Sequence, residues 1–367
     1  MEIGELSINE KVSQKFIFGI NSDNIDVIID LIKNYGIGGV ILYKKNYNSY
    51  EDMLTVIKRL KEANNDNKIP LFIAVDQEGG RVNRMPSEFK NLKNMYDLSR
   101  VSQSLVEEAS KITGKMLKDM GINMNFAPVM DLYDNKSKVL HKRCFYGTEE
   151  DVYRNGISYV NALKKSGIIP VLKHFPGHGA SKVDSHFFTP YIYDYKKILD
   201  RHMIPFIKCL DNNNGTDVCV DAMMVNHMVI RNLTNRLPAS ISKYFIKEYI
   251  RDRYNYSGLV ITDDINMLSR NLLYRFDYVK KAFLSGSDII LVRVNKDASG
   301  MIDKCIRLVN NNKDYLLELD NSVNRIIKIK EKYNVTDDIS IDGCKIDLIN
   351  KEIDKINKKF DMANTND

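Results

Sequence analysis

Between Lys173 and Pro190 the chain reads KHFPGHGASKVDSHFFTP, and three of its six histidines, His174, His178 and His186, fall inside these eighteen residues. Imidazole is the side chain that exchanges protons near neutral pH, so its crowding into one stretch points to acid–base chemistry. Within the stretch, Asp184 stands two residues before His186, where a carboxylate orients an imidazole and stabilises its protonated form. A second acidic group stands further on in GLVITDDINM, where Asp263 opens an Asp-Asp pair at the end of an apolar run. Asp184 with His186 supplies a proton carrier, and Asp263 supplies a nucleophile.

Two other chemistries use such residues. Histidine and aspartate are natural metal ligands, but the early strands carry no His-x-His pair. Pro176 and Gly177 also forbid the helix that would bring His174 and His178 onto one face. Phosphate binding by GHGASK would need the spacing G-x-x-x-x-G-K-[ST], which does not occur. No metal or other cofactor is expected.

The elements that must position these residues are short apolar, β-rich runs alternating with longer amphipathic segments, the pattern of βα units around a parallel sheet. Eight runs occur: KFIFGI from Lys15, GGVILY from Gly38, LFIAVD from Leu71, NMNFAP from Asn123, PVLKHF from Pro170, AMMVNH from Ala222, LVITDD from Leu259 and DIILVR from Asp288. Their polar residues fall at the C-terminal ends: Asp76, Asp131, Lys173 with His174, His227, and Asp263 with Asp264. In a (β/α)8 barrel that rim carries the active site. No G-x-G-x-x-G follows the first run, which argues against a doubly wound dinucleotide fold. The expected architecture is a single-domain α/β (β/α)8 TIM-type barrel over residues 1–335, followed by a helical extension and frayed tail over 336–367. In the extension, Ile346, Ile349, Ile353, Ile356 and Phe360 form one apolar stripe suited to docking on the barrel.

A formal charge of +6 is dispersed through helices with interleaved acids, so no nucleic-acid surface is expected. The five cysteines are widely spaced without a C-x-x-C pair, and read as reduced thiols. The N-terminal residues are acidic where a signal peptide is basic, and no apolar run approaches the ~20 residues needed to span a bilayer. A cytoplasmic protein with no membrane partner, acting as a monomer or weak homodimer, is the expectation.

KHFPGHG followed by DSH, with VDQEGGRVNR, INMNFAPVMDL, AMMVNHM and GLVITDDINM, resembles the single-domain bacterial β-N-acetylhexosaminidases of glycoside hydrolase family three. The resemblance runs over roughly residues 8–335. It implies a retaining exo-hydrolase acting through a covalent glycosyl-enzyme intermediate, with Asp263 as nucleophile and His186, held by Asp184, as acid/base. It further implies that Asp76, Arg84, Arg143, Lys173 and His174 hold the terminal N-acetylglucosamine, with His227 nearby; His178, between two glycines in GHG, is expected to shape the turn. The implied substrate is a small N-acetylglucosamine-containing carbohydrate, with peptidoglycan fragments as its source.

Two motifs depart from the family pattern. Val225-Asn226-His227 stands where relatives often read P-A-H, and His141-Lys142-Arg143-Cys144-Phe145 where they read G-E-R-S-F, which bears on the pocket wall and on substrate preference. A β-N-acetylglucosaminide phosphorylase is the alternative within enzymology, because histidine in place of a catalytic glutamate repels phosphate less. A non-catalytic sugar-binding protein is the alternative from another class, although such a protein needs none of Asp263, Asp184 and His186.

Overall fold

Each of the eight runs forms one stave of a closed parallel barrel in the computed structural model, which describes residues 3–20, 25–133, 140–181, 190–193, 195–210, 220–268, 272–293, 298–341 and 343–364. The staves are β1 (Phe16–Gly19), β2 (Gly39–Leu42), β3 (Phe72–Val75), β4 (Met124–Asn125), β5 (Leu172–Phe175, preceded by the short strand Ile169–Pro170), β6 (Ala222–Val225), β7 (Leu259–Thr262) and β8 (Ile290–Arg293). One sheet runs β8–β1–β2–β3–β4 and on to Ile169–Pro170, and a second runs β7–β6–β5. Parallel bridges Val129↔Lys173 and Ile261↔Ile289 join the two sheets and close the ring.

The runs are apolar throughout because both faces of a parallel stave are covered. Ile41, Phe72, Ala74, Met124, Met224, Leu259, Ile261 and Leu291 fill the barrel interior. Alternate residues such as Val40, Leu42, Ile73, Val75 and Val260 pack outward beneath the helices. Amphipathic helices Ile25–Tyr35, Tyr50–Ala63, Gln103–Asp119, Glu149–Lys165, Leu272–Ser285 and Ala298–Asn310 make the outer ring. Several begin where a side chain satisfies the first free amides: Ser49 accepts from Asp52 N, and Thr148 forms a reciprocal box with Asp151. The segment after Ser242 is helical, wound as a π-helix over Tyr244–Asp252.

The helix Lys313–Lys332 crosses the N-terminal end of the barrel, where Ile326, Ile329 and Tyr333 close the interior. Its Lys330 is buried with the ammonium donating to Gln14 Oε1 (2.7 Å), Gly38 O (3.0 Å) and Pro70 O (2.6 Å). Three acceptors meet its three N–H donors, while burial pushes its pKa down to about 7. The extension ends in the helix Ile346–Asn364, which buries Ile349, Ile353 and Ile356 against the barrel's own helices. Among the described residues no helix is long and apolar enough to cross a membrane.

Candidate active site

A pocket of about 220 Å³ opens at the C-terminal ends of the staves. It is walled by Tyr43 after β2, Asp76, Glu78 and Arg84 after β3, Arg143, Lys173 and His174 on β5, His178, Asp263 and Asp264 after β7, and Arg293 on β8. The parallel topology brings the strand-end positions together, since every stave ends on the same rim, and the loops beyond them add Glu78, Arg84, Arg143 and His178.

At one part of the wall, cations and carboxylates interlock. Lys173 Nζ lies 2.7 Å from Asp76 Oδ1 and 2.6 Å from Glu78 Oε1. Arg143 donates Nε to Glu78 Oε2 and Nη2 to Glu78 Oε1, each at 2.8 Å. Burial opposes a charge on Glu78, but Arg143 and Lys173 hold its carboxyl well below the usual glutamate value. Arg84 Nη2 approaches Asp76 Oδ2 at 3.8 Å, while its Nε is buried with no hydrogen-bond partner. A buried, unmet guanidinium donor in a pocket is a place for a ligand oxygen.

Asp131, fully buried, organises the next part. Its Oδ2 accepts the amide of His174 (3.2 Å) and lies 2.7 Å from His174 Nδ1, and its Oδ1 accepts the amide of His178 (2.6 Å). Burial works against the charge, yet the neighbouring His174 and His178 and the His178 amide keep Asp131 below the ordinary aspartate range. Burial also pushes the His178 imidazole down.

Asp263 follows Thr262 directly, with its amide bonded to Val225 O (2.9 Å) and its Oδ1 accepting the Asp264 amide (2.8 Å). Burial opposes its ionisation, but the proximity of His227 and His174 and the Asp264 amide hold its carboxyl below the ordinary value. An ionised carboxylate at the rim is a competent nucleophile. Asp264 is turned to structural work: Oδ1 accepts the amides of Asn266 (3.0 Å) and Arg293 (3.2 Å), and Oδ2 faces Arg293 Nη2 at 3.4 Å. Burial raises its pKa. Tyr43 stands beside this pair with the Arg293 guanidinium 5.7 Å from its ring centre, and it fits because residue 19 is glycine, where a Cβ would come within 2.9 Å of the phenol oxygen.

Asp76, Arg84, Arg143, Lys173, His174 and Asp263 therefore share one pocket. His227 is buried outside that lining. Its Nε2 is 2.9 Å from the Asp264 carbonyl, which only accepts, so Nε2 carries the proton, and Nδ1 pairs with Ser240 Oγ at 2.6 Å. His227 thus holds the Asp263–Asp264 backbone from behind. Asp184 and His186 lie outside the described residues. His178, expected only to shape a turn, lines the pocket.

Tyr43, Glu78 and Arg293 join the expected residues in the pocket; Tyr43 and Arg293 end the second and eighth runs and answer to the same strand-end rule, as does Asp131, whose organising role the rule does not give. Neither Lys142 nor Asn226, the residues at the two departures, lines the pocket itself. Lys142 pairs with Asp97 (3.1 Å), and Asn226 donates to His174 O (3.0 Å), tying β6 to β5.

Comparison with known proteins identifies the family of the chain. A family model described as the glycosyl hydrolase family 3 N-terminal domain matches residues 7–329. A β-hexosaminidase of Nitrosospira multiformis is 30% identical over 275 residues, spanning 72% of this chain and 76% of its own length. A β-hexosaminidase of Haemophilus influenzae is 28% identical over 295 residues, 78% of this chain and 81% of that protein. The solved structure of a family 3 β-N-acetylglucosaminidase from a Paenibacillus species superposes with a TM-score of 0.85 at 28% identity, covering 96% of this chain and 69% of the other.

Proposed function

The chain belongs to glycosyl hydrolase family 3, and from that premise we propose that it is a retaining exo-β-N-acetylhexosaminidase releasing terminal β-linked N-acetylglucosamine. The observation that carries the reading is the Asp263 carboxylate, kept ionised, sharing one pocket with the Asp76–Lys173–Glu78–Arg143 cluster and the unmet Arg84 Nε. Carboxylate acceptors and cationic donors suit vicinal hydroxyls, whose protons and lone pairs both need partners once water leaves.

In the proposed cycle Asp263 attacks the anomeric carbon as the glycosidic C–O bond breaks, and the His186 imidazolium gives its proton to the departing oxygen. The neutral imidazole then takes a proton from water, whose oxygen displaces Asp263 and restores the β configuration. Asp184 orients His186; these two roles rest on the KHFPGHG…DSH motif. Lys173, His174, Arg84, Arg143 and Asp76 hold the sugar. His227 supports the nucleophile's backbone, which is the role its two hydrogen bonds favour over direct sugar contact. Peptidoglycan fragments are the proposed natural source, on the likeness of these motifs to bacterial enzymes.

Turnover of p-nitrophenyl N-acetyl-β-glucosaminide, with and without inorganic phosphate, tests the reading. The expected product in both cases is free N-acetylglucosamine, and Asp263→Asn should lower kcat by about a thousandfold or more, ~4 kcal/mol of barrier. A sugar 1-phosphate product would make the enzyme a phosphorylase. Retention of activity by Asp263→Asn within tenfold would remove the nucleophile assignment. Release of N-acetylglucosamine from purified muropeptides, followed by mass spectrometry, tests the source.

A further inference from the structure

The helix Ile346–Asn364 does more than cover apolar surface. Asn350 Oδ1 accepts the amide of Lys90 (2.7 Å) while its Nδ2 donates to Glu88 O (2.8 Å). Seven residues later the same exchange recurs: Asn357 Oδ1 accepts the amide of Lys93 (3.1 Å), and its Nδ2 donates to Asn91 O (3.0 Å). The charged pairs repeat in step, with Lys90 Nζ on Asp354 (2.5 Å) and Lys93 Nζ on Asp361 (3.0 Å). The repeat is geometrically matched, because seven helical residues rise about 10.5 Å and three extended residues advance roughly 10 Å.

The segment so gripped is tied directly to the pocket. Gly80 N donates to Leu92 O (2.9 Å), and Asn91 Nδ2 donates to Gly80 O (2.6 Å). Gly80 has φ +57, and a Cβ there would meet Asn94 Cβ at 2.6 Å, so the two stretches lie in close contact. Gly80 sits in the turn that carries Glu78 on one side and Arg84 on the other, closed by Glu78 N to Val82 O (3.1 Å) and Arg84 N to Gln77 Oε1 (2.7 Å).

We propose that Asn350 and Asn357 are positioning residues for the sugar pocket: through residues 88–93 they fix the turn that presents Asp76, Glu78 and Arg84. The proposal rests on the reading of this pocket as a sugar site. Side-chain amides that satisfy both a backbone N–H and a C=O in an irregular segment remove its freedom to shift, and a misplaced binding group weakens sugar binding more than it slows bond breaking.

The test is the full chain carrying Asn350→Ala with Asn357→Ala, compared with Lys359→Ala, which lies on the same helix but pairs with Glu108 instead. Amide exchange at Gly80 and Arg84, which neither asparagine touches, is expected to quicken about tenfold in the double variant. KM for the nitrophenyl glycoside should rise about tenfold with kcat within about twofold, and Asn350→Asp, which keeps the bond to Lys90 N, should fall between. Lys359→Ala should change neither reading.

Unchanged exchange at Gly80 and Arg84 would overturn the proposal, as would loosened amides with an unchanged KM, or an equal rise in KM from Lys359→Ala. If the unmodified protein turns over no glycoside, the functional reading fails. Exchange at Gly80 and Arg84 then still decides whether the asparagines fix the turn.

Discussion

Replacing Glu78 by glutamine keeps the side chain's size and removes its charge. Glu78 is 3% exposed in its side chain and accepts three charge-assisted bonds, from Lys173 Nζ and from Arg143 Nε and Nη2. A glutamine carbonyl in place of Oε1 keeps two of them in weakened form, but the amide nitrogen in place of Oε2 sets a donor against Arg143 Nε–H. Removing one partner of a buried ion pair costs about 3–5 kcal/mol, and because Lys173 retains Asp76 the lower figure, ~3 kcal/mol, applies. Over 367 residues the unfolding entropy is roughly 0.8 kcal/mol/K, so the melting temperature should fall by about 4 °C.

The loss has a pH signature. The folded carboxyl ionises well below its ordinary value, so its contribution is complete above about pH 4.5 and disappears as pH falls through the depressed folded value. Thermal denaturation followed by circular dichroism across the pH range should show a steady gap between the two proteins at neutral pH that closes only in strong acid. A melting temperature within about 1 °C of the parent at neutral pH, or a gap already closed near pH 6, would refute this account of the cluster.

Three further outcomes can be checked directly. His186→Ala should lose far less activity on a nitrophenyl glycoside than on a disaccharide, because nitrophenolate leaves without protonation; equal losses would exclude His186 as the proton donor. Ser240→Ala removes the partner 2.6 Å from His227 Nδ1 and should cost about 1–2 kcal/mol of stability with a several-fold fall in kcat, read by denaturant titration and initial rates. Gly19→Ala places a methyl within 2.9 Å of Tyr43 and should raise KM by displacing the phenol, while circular dichroism stays that of the parent.

The staves were legible because burial on both faces writes a nearly unbroken apolar run, and the rim was legible because polar residues interrupt those runs only at their ends. The same rule reached Asp76, Lys173, His174 and Asp263. It does not reach Glu78 or His178, which sit in the loops beyond a strand end, where side-chain direction depends on a turn such as that at Gly79 and Gly80. Asp131 was visible as a strand-end residue, but nothing local says that its two oxygens serve the amides of His174 and His178, 43 and 47 residues away. His227 shows the converse. Its position at the end of β6 is that of a pocket residue, yet the bonds to Ser240 and Asp264 are made across the barrel wall and carry no signal in the sequence. The asparagines of the last helix were likewise hidden, since the apolar stripe at Ile349, Ile353 and Ile356 predicts docking without naming what the neighbouring face holds.

The described lining of the pocket sets Asp76, Glu78, Asp263 and Asp264 against Arg84, Arg143, Lys173 and Arg293, four formal negatives beside four formal positives. Such a wall is strongly polar and nearly neutral, so it projects little field into solvent. An uncharged glycoside gains local hydrogen bonds on entry without long-range attraction or repulsion, and its capture should therefore depend only weakly on ionic strength. Among the described residues the same balance supplies no surplus of positive charge to gather a phosphate dianion.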